Sequence, residues 1–184
     1  ILCSVLLIAS ACNKDPVTSE NPFVQPGLLV VEKNGVSYNA TDVTAVWEVD
    51  ESSGQSKNTI AISGTVDGKL FSIGFGSWGF MNPPKYGVLL KTYDLGLPLD
   101  SVAFPNTTCF TDSSATYCDI ASGRYAGESS DFYMTELQGH AGTLTVNKNV
   151  LAERSVFGHF DFNAINLFNE DTLHFKGTFS NIVY

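Results

Sequence analysis

Two-residue turn signals set between runs of alternating apolar and polar residues constrain this chain more than any other feature. Asp67-Gly68 is the sharpest case. Side chains of a strand alternate between its two faces, and Asp-Gly favours the type I′ turn of a tight hairpin. A two-residue turn there sets Ile60 opposite Phe75, Ile62 opposite Ile73 and Gly64 opposite Phe71 on one face. Ser63 then meets Ser72 on the other face. Turn chemistry and side-chain pattern choose the same register independently, as a specified hairpin requires. Asn34-Gly35 plays the same part between residues 28–32 and 36–40. Val43, Ala45, Trp47 and Val49 alternate with Thr44, Val46, Glu48 and Asp50. Leu144 and Val146 alternate with Thr143, Thr145 and Asn147.

Helical periodicity is nearly absent, and no strand–helix–strand alternation suggests a parallel sheet. The 184 residues suit one domain. The pattern predicts an all-β fold of about ten antiparallel strands. A β-sandwich is the first expectation and an up-and-down β-barrel the second. The longest irregular segments are expected near Ser77–Tyr86 and Gly123–Asp131. On the last two strands, Phe160 and Phe162 should point inward beside Leu173, Phe175 and Phe179, with Asp161 facing Lys176 on the outside. A net charge of −9 leaves no basic face for phosphates and argues against nucleic acid as a partner.

The start of the chain reads differently. Ile1–Ile8 is apolar but too short to span a bilayer, and Ala9-Ser10-Ala11-Cys12 follows it. This stretch resembles a bacterial lipobox, in which the cysteine becomes the acylated first residue. The resemblance implies a signal peptide over residues 1–11 and a lipid on Cys12. Residues 12–27, with Pro16, Pro22 and Pro26, read as an extended tether. Residues 28–184 then form the β domain. Cys12-Asn13-Lys14-Asp15 is similar to the start of surface-export signals in Bacteroidota lipoproteins. Gly158-His159-Phe160-Asp161-Phe162-Asn163-Ala164 and Gly177-Thr178-Phe179 near the terminus add to the likeness. Together these segments resemble uncharacterised Bacteroidota envelope lipoproteins with one C-terminal β domain. The resemblance implies a lipid-anchored protein of the outer membrane, possible surface exposure, and no catalytic residues to carry over.

Chemistry-bearing motifs are few. Cys109 and Cys118 flank a turn at Ser113-Ser114 that pairs Asp112 with Ala115 and the two cysteines with each other. A disulfide is expected there, since exported proteins keep such bonds. Gly74-Phe75-Gly76-Ser77-Trp78-Gly79 matches Gly-x-Gly-x-x-Gly, but Pro83-Pro84 follows where a phosphate-binding helix should start. No nucleophile elbow is present. His140, His159 and His174 lack metal-binding spacing, and His159 and His174 fall on the face opposite the phenylalanines. Glu48 and Asp50 share a strand face without an apolar pocket to raise either pKa. Asp119, Glu128 and Asp131 lack the framework of a Ca²⁺ loop. No catalytic residue, metal or cofactor is therefore assigned.

Trp78, Phe80 and Tyr86 cluster among glycines and prolines. They are read either as a ligand-stacking loop or as a plug over the end of the fold. The sequence thus points to a non-catalytic, lipid-anchored envelope protein that binds a glycan, a peptide or another envelope component. The alternatives are a carboxylate-dependent hydrolase of envelope or dietary polymers, marked by two facing carboxylates, and a lipocalin-like carrier, marked by a large apolar cavity.

Overall fold

The computed structural model describes residues 27–50, 55–80, 88–96, 109–112, 115–127, 130–137 and 139–184. Cys12, residues 13–26 of the tether and Tyr86 lie outside the described residues, as do the side chains of Trp78, Phe80, Cys109 and Cys118. The described residues form twelve strands and one short 3₁₀ turn, Thr135–Leu137. The strands are β1 (Leu28–Lys33), β2 (Val36–Asn39), β3 (Thr41–Asp50), β4 (Gln55–Val66), β5 (Lys69–Phe80) and β6 (Thr92–Leu95). They continue with β7 (Cys109–Asp112), β8 (Ala115–Ala126), β9 (Phe132–Met134), β10 (Gly142–Val150), β11 (Ser155–Asn166) and β12 (Thr172–Val183).

All belong to one antiparallel sheet whose main path is β2-β1-β12-β11-β9-β8-β5-β4-β3. Its two outer strands, β2 and β3, are successive pieces of one chain joined at Ala40. The Ala40 N–H donates to the Leu29 carbonyl at 2.9 Å, which folds the corner back on β1. Gly64 leaves room for it, since a Cβ there would lie 3.2 Å from that of Ala40. The sheet thereby curls until its edges nearly meet. Both expected architectures, sandwich and barrel, fit this nearly closed barrel.

Turn chemistry acted as anticipated. Asn34 and Gly35 have φ of 48° and 85°, and Asp67 and Gly68 have 51° and 72°. Positive φ at both central residues is the type I′ signature. Ile60 pairs with Phe75, Ile62 with Ile73, Ser63 with Ser72 and Gly64 with Phe71. Asp161 faces Lys176 and Phe162 faces Phe175. Phe160, Phe162, Phe175 and Phe179 are buried, with Leu173 packed against them.

The interior is filled by rings. Phe71 lies 5.4 Å from Phe160 and 5.5 Å from Phe175, and Phe75 lies 5.6 Å from Phe179. Gly158 pairs with Phe179 and Gly177 with Phe160, so each Gly-x-Phe strand lays its ring over the other's glycine. A Cβ at Gly158 would meet the Phe179 ring at 2.4 Å, and one at Gly177 the Phe160 ring at 2.6 Å.

Two expected irregular segments are strand over part of their length. Ser77–Phe80 continues β5, because its backbone pairs with β4 on one side and, as far as Gly79, with β8 on the other. Trp78 and Phe80 therefore stand on a strand and not in a loop. Gly123–Ala126 is the end of β8, paired with β5 and receiving the Phe162 ring over Gly123.

Candidate functional site

Among the described residues the register slips on three strands, β3, β12 and, between Val146 and Lys148, β10, and each slip precedes a groove residue. On β3 the register slips between Thr41 and Thr44. Asp42 takes the extra residue with φ of 52°. Inward positions are even before it (Tyr38, Ala40) and odd after it (Val43, Ala45). On β12 the register slips between the Val156–Ile182 and Gly158–Phe179 pairs, and Asn181 has φ of 52°. Phe175 and Phe179 face in before the slip, and Ile182 faces in after it. Bulges of this kind re-aim side chains beside functional sites. Continued inward phase brings Trp47 on β3 and Tyr184 just past β12 to the same end of the barrel.

There the two rings stand 6.4 Å apart at 74°, edge to face. They line an open groove of about 290 Å³ with Asn58, Ile60, Val88, Asn149, Leu151 and Arg154. Trp47 keeps 46% of its surface exposed. Its indole Nε1–H donates to Asn58 Oδ1 at 2.7 Å. The Tyr184 hydroxyl donates to Asn149 Oδ1 at 2.8 Å. Both aromatic walls are thus held by amide oxygens, and each amide keeps its NH₂ donors. Arg154, at φ of 49° in the β10–β11 turn, accepts the Tyr184 N–H on its carbonyl at 2.9 Å. Gly76 sits behind this end, where a Cβ would lie 2.3 Å from the Asn58 carbonyl oxygen. Its φ of 151° would also strain any side chain.

The described part of the segment singled out from the sequence, Ser77–Phe80 at the end of β5, borders the same end. Ser77 pairs with Asn58 and Trp78 with Lys57 and Cys118. Val88, the first described residue after segment 81–87, lines the groove. Cys109 stands opposite Cys118 and Asp112 opposite Ala115, the register expected for a bridge.

Other candidates separate. Asp119 is buried and bound to Lys91 Nζ at 2.5 Å. Asp131 is bound to Lys69 near the opposite end, beside the Asp67-Gly68 turn, so Asp119 and Asp131, two of the three carboxylates considered for Ca²⁺, do not converge, and Glu128 lies outside the described residues. Among the described residues no cluster of three or more His, Cys, Asp or Glu side chains could hold a metal. His159 and His174 lie on the outer face, where His174 Nε2 is 2.8 Å from Asp161 Oδ1. The Asp67 carboxyl is held below the usual range by its hydrogen bond to the Lys33 ammonium and by that charge. Sequence reading placed Trp47 on one strand face with Val43, Ala45 and Val49 and missed its role, since parity does not say where a barrel ends. Tyr184 was hidden by the Asn181 bulge, for which an asparagine tolerant of positive φ was the available signal.

Comparison with protein-family models, with curated proteins and with solved structures returned no match.

Proposed function

We propose that this chain is a lipid-anchored, non-catalytic protein of the bacterial outer membrane that binds a glycan in the groove between Trp47 and Tyr184. The lipobox-like Ala9-Ser10-Ala11-Cys12 and the Pro-rich stretch behind it support anchoring. The observation that carries the binding reading is the exposed indole of Trp47, fixed by Asn58 and braced by Tyr184. A fixed ring loses little entropy when a ligand stacks on it. Its apolar face suits the C–H face of a sugar, and the flanking amides suit its hydroxyl oxygens.

The competing readings have less behind them. Among the described residues, those lining the groove include no carboxylate pair of the kind a glycosidase uses. The lowered pKa of Asp67 runs opposite to what a general acid needs. The described interior is packed with phenylalanine rings where a carrier would keep its cavity.

The test is Trp47→Ala, compared with the parent chain by affinity electrophoresis through neutral and acidic polysaccharides. Binding should weaken about tenfold or more, the loss of a stacked ring worth ~1–1.5 kcal/mol beyond its burial. The melting temperature should move little, since the ring is half exposed. Equal retardation of the two proteins would contradict the assignment.

A further inference from the structure

The groove differs in charge from the rest of the molecule. The chain carries −9, yet among the described residues lining the groove the one ionised side chain is that of Arg154. Its backbone is fixed twice, by the positive φ of the turn and by the bond from the Tyr184 N–H. Among the described residues no hydrogen bond or ion pair engages its guanidinium. Glu153 is its neighbour in sequence but is exposed and does not line the groove. The uncharged polar groups lean the same way. Asn58 and Asn149 spend their amide oxygens on Trp47 and Tyr184, which leaves NH₂ donors facing no partner of their own. A guanidinium presents five donors in a planar fork that matches a carboxylate two bonds at a time. The described lining of the groove is therefore rich in donors, poor in acceptors and positive.

We infer that the glycan bound here is acidic, carrying uronic-acid carboxylates, and that Arg154 selects it by pairing with a carboxylate while Trp47 stacks on a sugar ring. This rests on the glycan-binding reading above and narrows its ligand class. A neutral glycan would leave the guanidinium without a counter-charge. An anionic chain approaching a protein of the same sign elsewhere would be held away from other faces and admitted here.

The experiment is affinity electrophoresis of the whole protein in about 0.15 M salt, a level that screens diffuse attraction. The probes are polygalacturonate, alginate, hyaluronan, fully methyl-esterified polygalacturonate and dextran. Arg154→Gln, Arg154→Lys and Trp47→Ala are run beside the parent, each checked for native near-ultraviolet circular dichroism. At least one uronate polymer should retard the parent, with dextran and the methyl ester at least about tenfold weaker. Arg154→Gln should lose about tenfold in affinity for that polymer. Arg154→Lys should recover part of the loss, because charge remains and the fork does not. Retardation by dextran or the ester equal to that by the uronates, unchanged in Arg154→Gln but lost in Trp47→Ala, would overturn the acidic-ligand inference and leave glycan binding standing. Retardation by none of the five polymers would overturn both.

Discussion

Phe160 and Phe179 each lie over a glycine of the neighbouring strand, and Phe162 lies over Gly123. Rings packed on bare backbone have nowhere to collapse when truncated. Phe162→Ala should therefore cost ~3–5 kcal/mol in urea unfolding, the range for large-to-small changes in a tight core. A loss below about 1 kcal/mol would mean that the ring does not fill the interior. Asn181 works differently: it contributes its φ of 52° and hence the phase of Ile182. Asn181→Gly should keep the bulge and cost less than a β-branched replacement, since glycine adopts that conformation freely. Asn181→Val should cost at least ~1–2 kcal/mol, because a β-branched residue resists it. Equal melting curves for the two variants would remove the bulge from the account of the groove.

Hairpins were the readable part of this fold. At Asp67-Gly68 the two-residue turn selects the register and the apolar parity agrees with it, which places Ile62 opposite Ile73. The Phe160–Phe162 face was readable for the same reason, and its pairing with β12 followed from Asp161 opposite Lys176. Groove residues were not, because their positions depend on extra residues on β3 and β12, Asp42 and Asn181, and on a further slip between Val146 and Lys148 of β10, which shift parity without changing composition. Strand length was misjudged where glycines sit inside strands, as in Gly74–Gly79, which reads as loop composition until both neighbouring ladders are known. Pairing of β7 with β8 puts Cys109 opposite Cys118. The native chain should yield a single bridged peptide by mass spectrometry, and reduction should lower stability by roughly 2–3 kcal/mol for so short a loop. Two alkylatable thiols in the unreduced protein would exclude the bridge. The β4–β5 turn is tied to β1 through Asp67 and Lys33. Burial works to lower the Lys33 pKa, but its bonds to Asp67 and Tyr125 outweigh that and raise it, while Asp67 is lowered. The Asp67 contribution is present above the unfolded carboxylate range near pH ~4 and is lost as pH falls through the lower folded value. On the lysine side it is lost only as pH rises through the folded value, above about 10.4. The difference in urea midpoint between the parent and Lys33→Met should be larger at pH 7 than at pH 3. A difference unchanged by acid would mean that the pair adds nothing.

The assembled barrel has two unlike ends. One carries the turns Asn34-Gly35 and Asp67-Gly68, with Lys33, Lys69 and their carboxylate partners. The other carries Trp47, Tyr184, Asn58, Asn149 and Arg154, and the chain enters β1 at this end, where Leu28 pairs with Ser180. The proposed tether on Cys12 would therefore join the domain at its groove end. The central claim is that this end, and no other, receives an acidic glycan. The most direct measurement is a ¹H–¹⁵N correlation spectrum of the whole protein titrated with a uronate oligosaccharide. The account predicts the largest shifts at the Trp47 indole N–H, the Asn58 and Asn149 side-chain amides and the backbone of Arg154. Shifts centred on the Asp67-Gly68 end, or none while the oligosaccharide is in large excess, would contradict it.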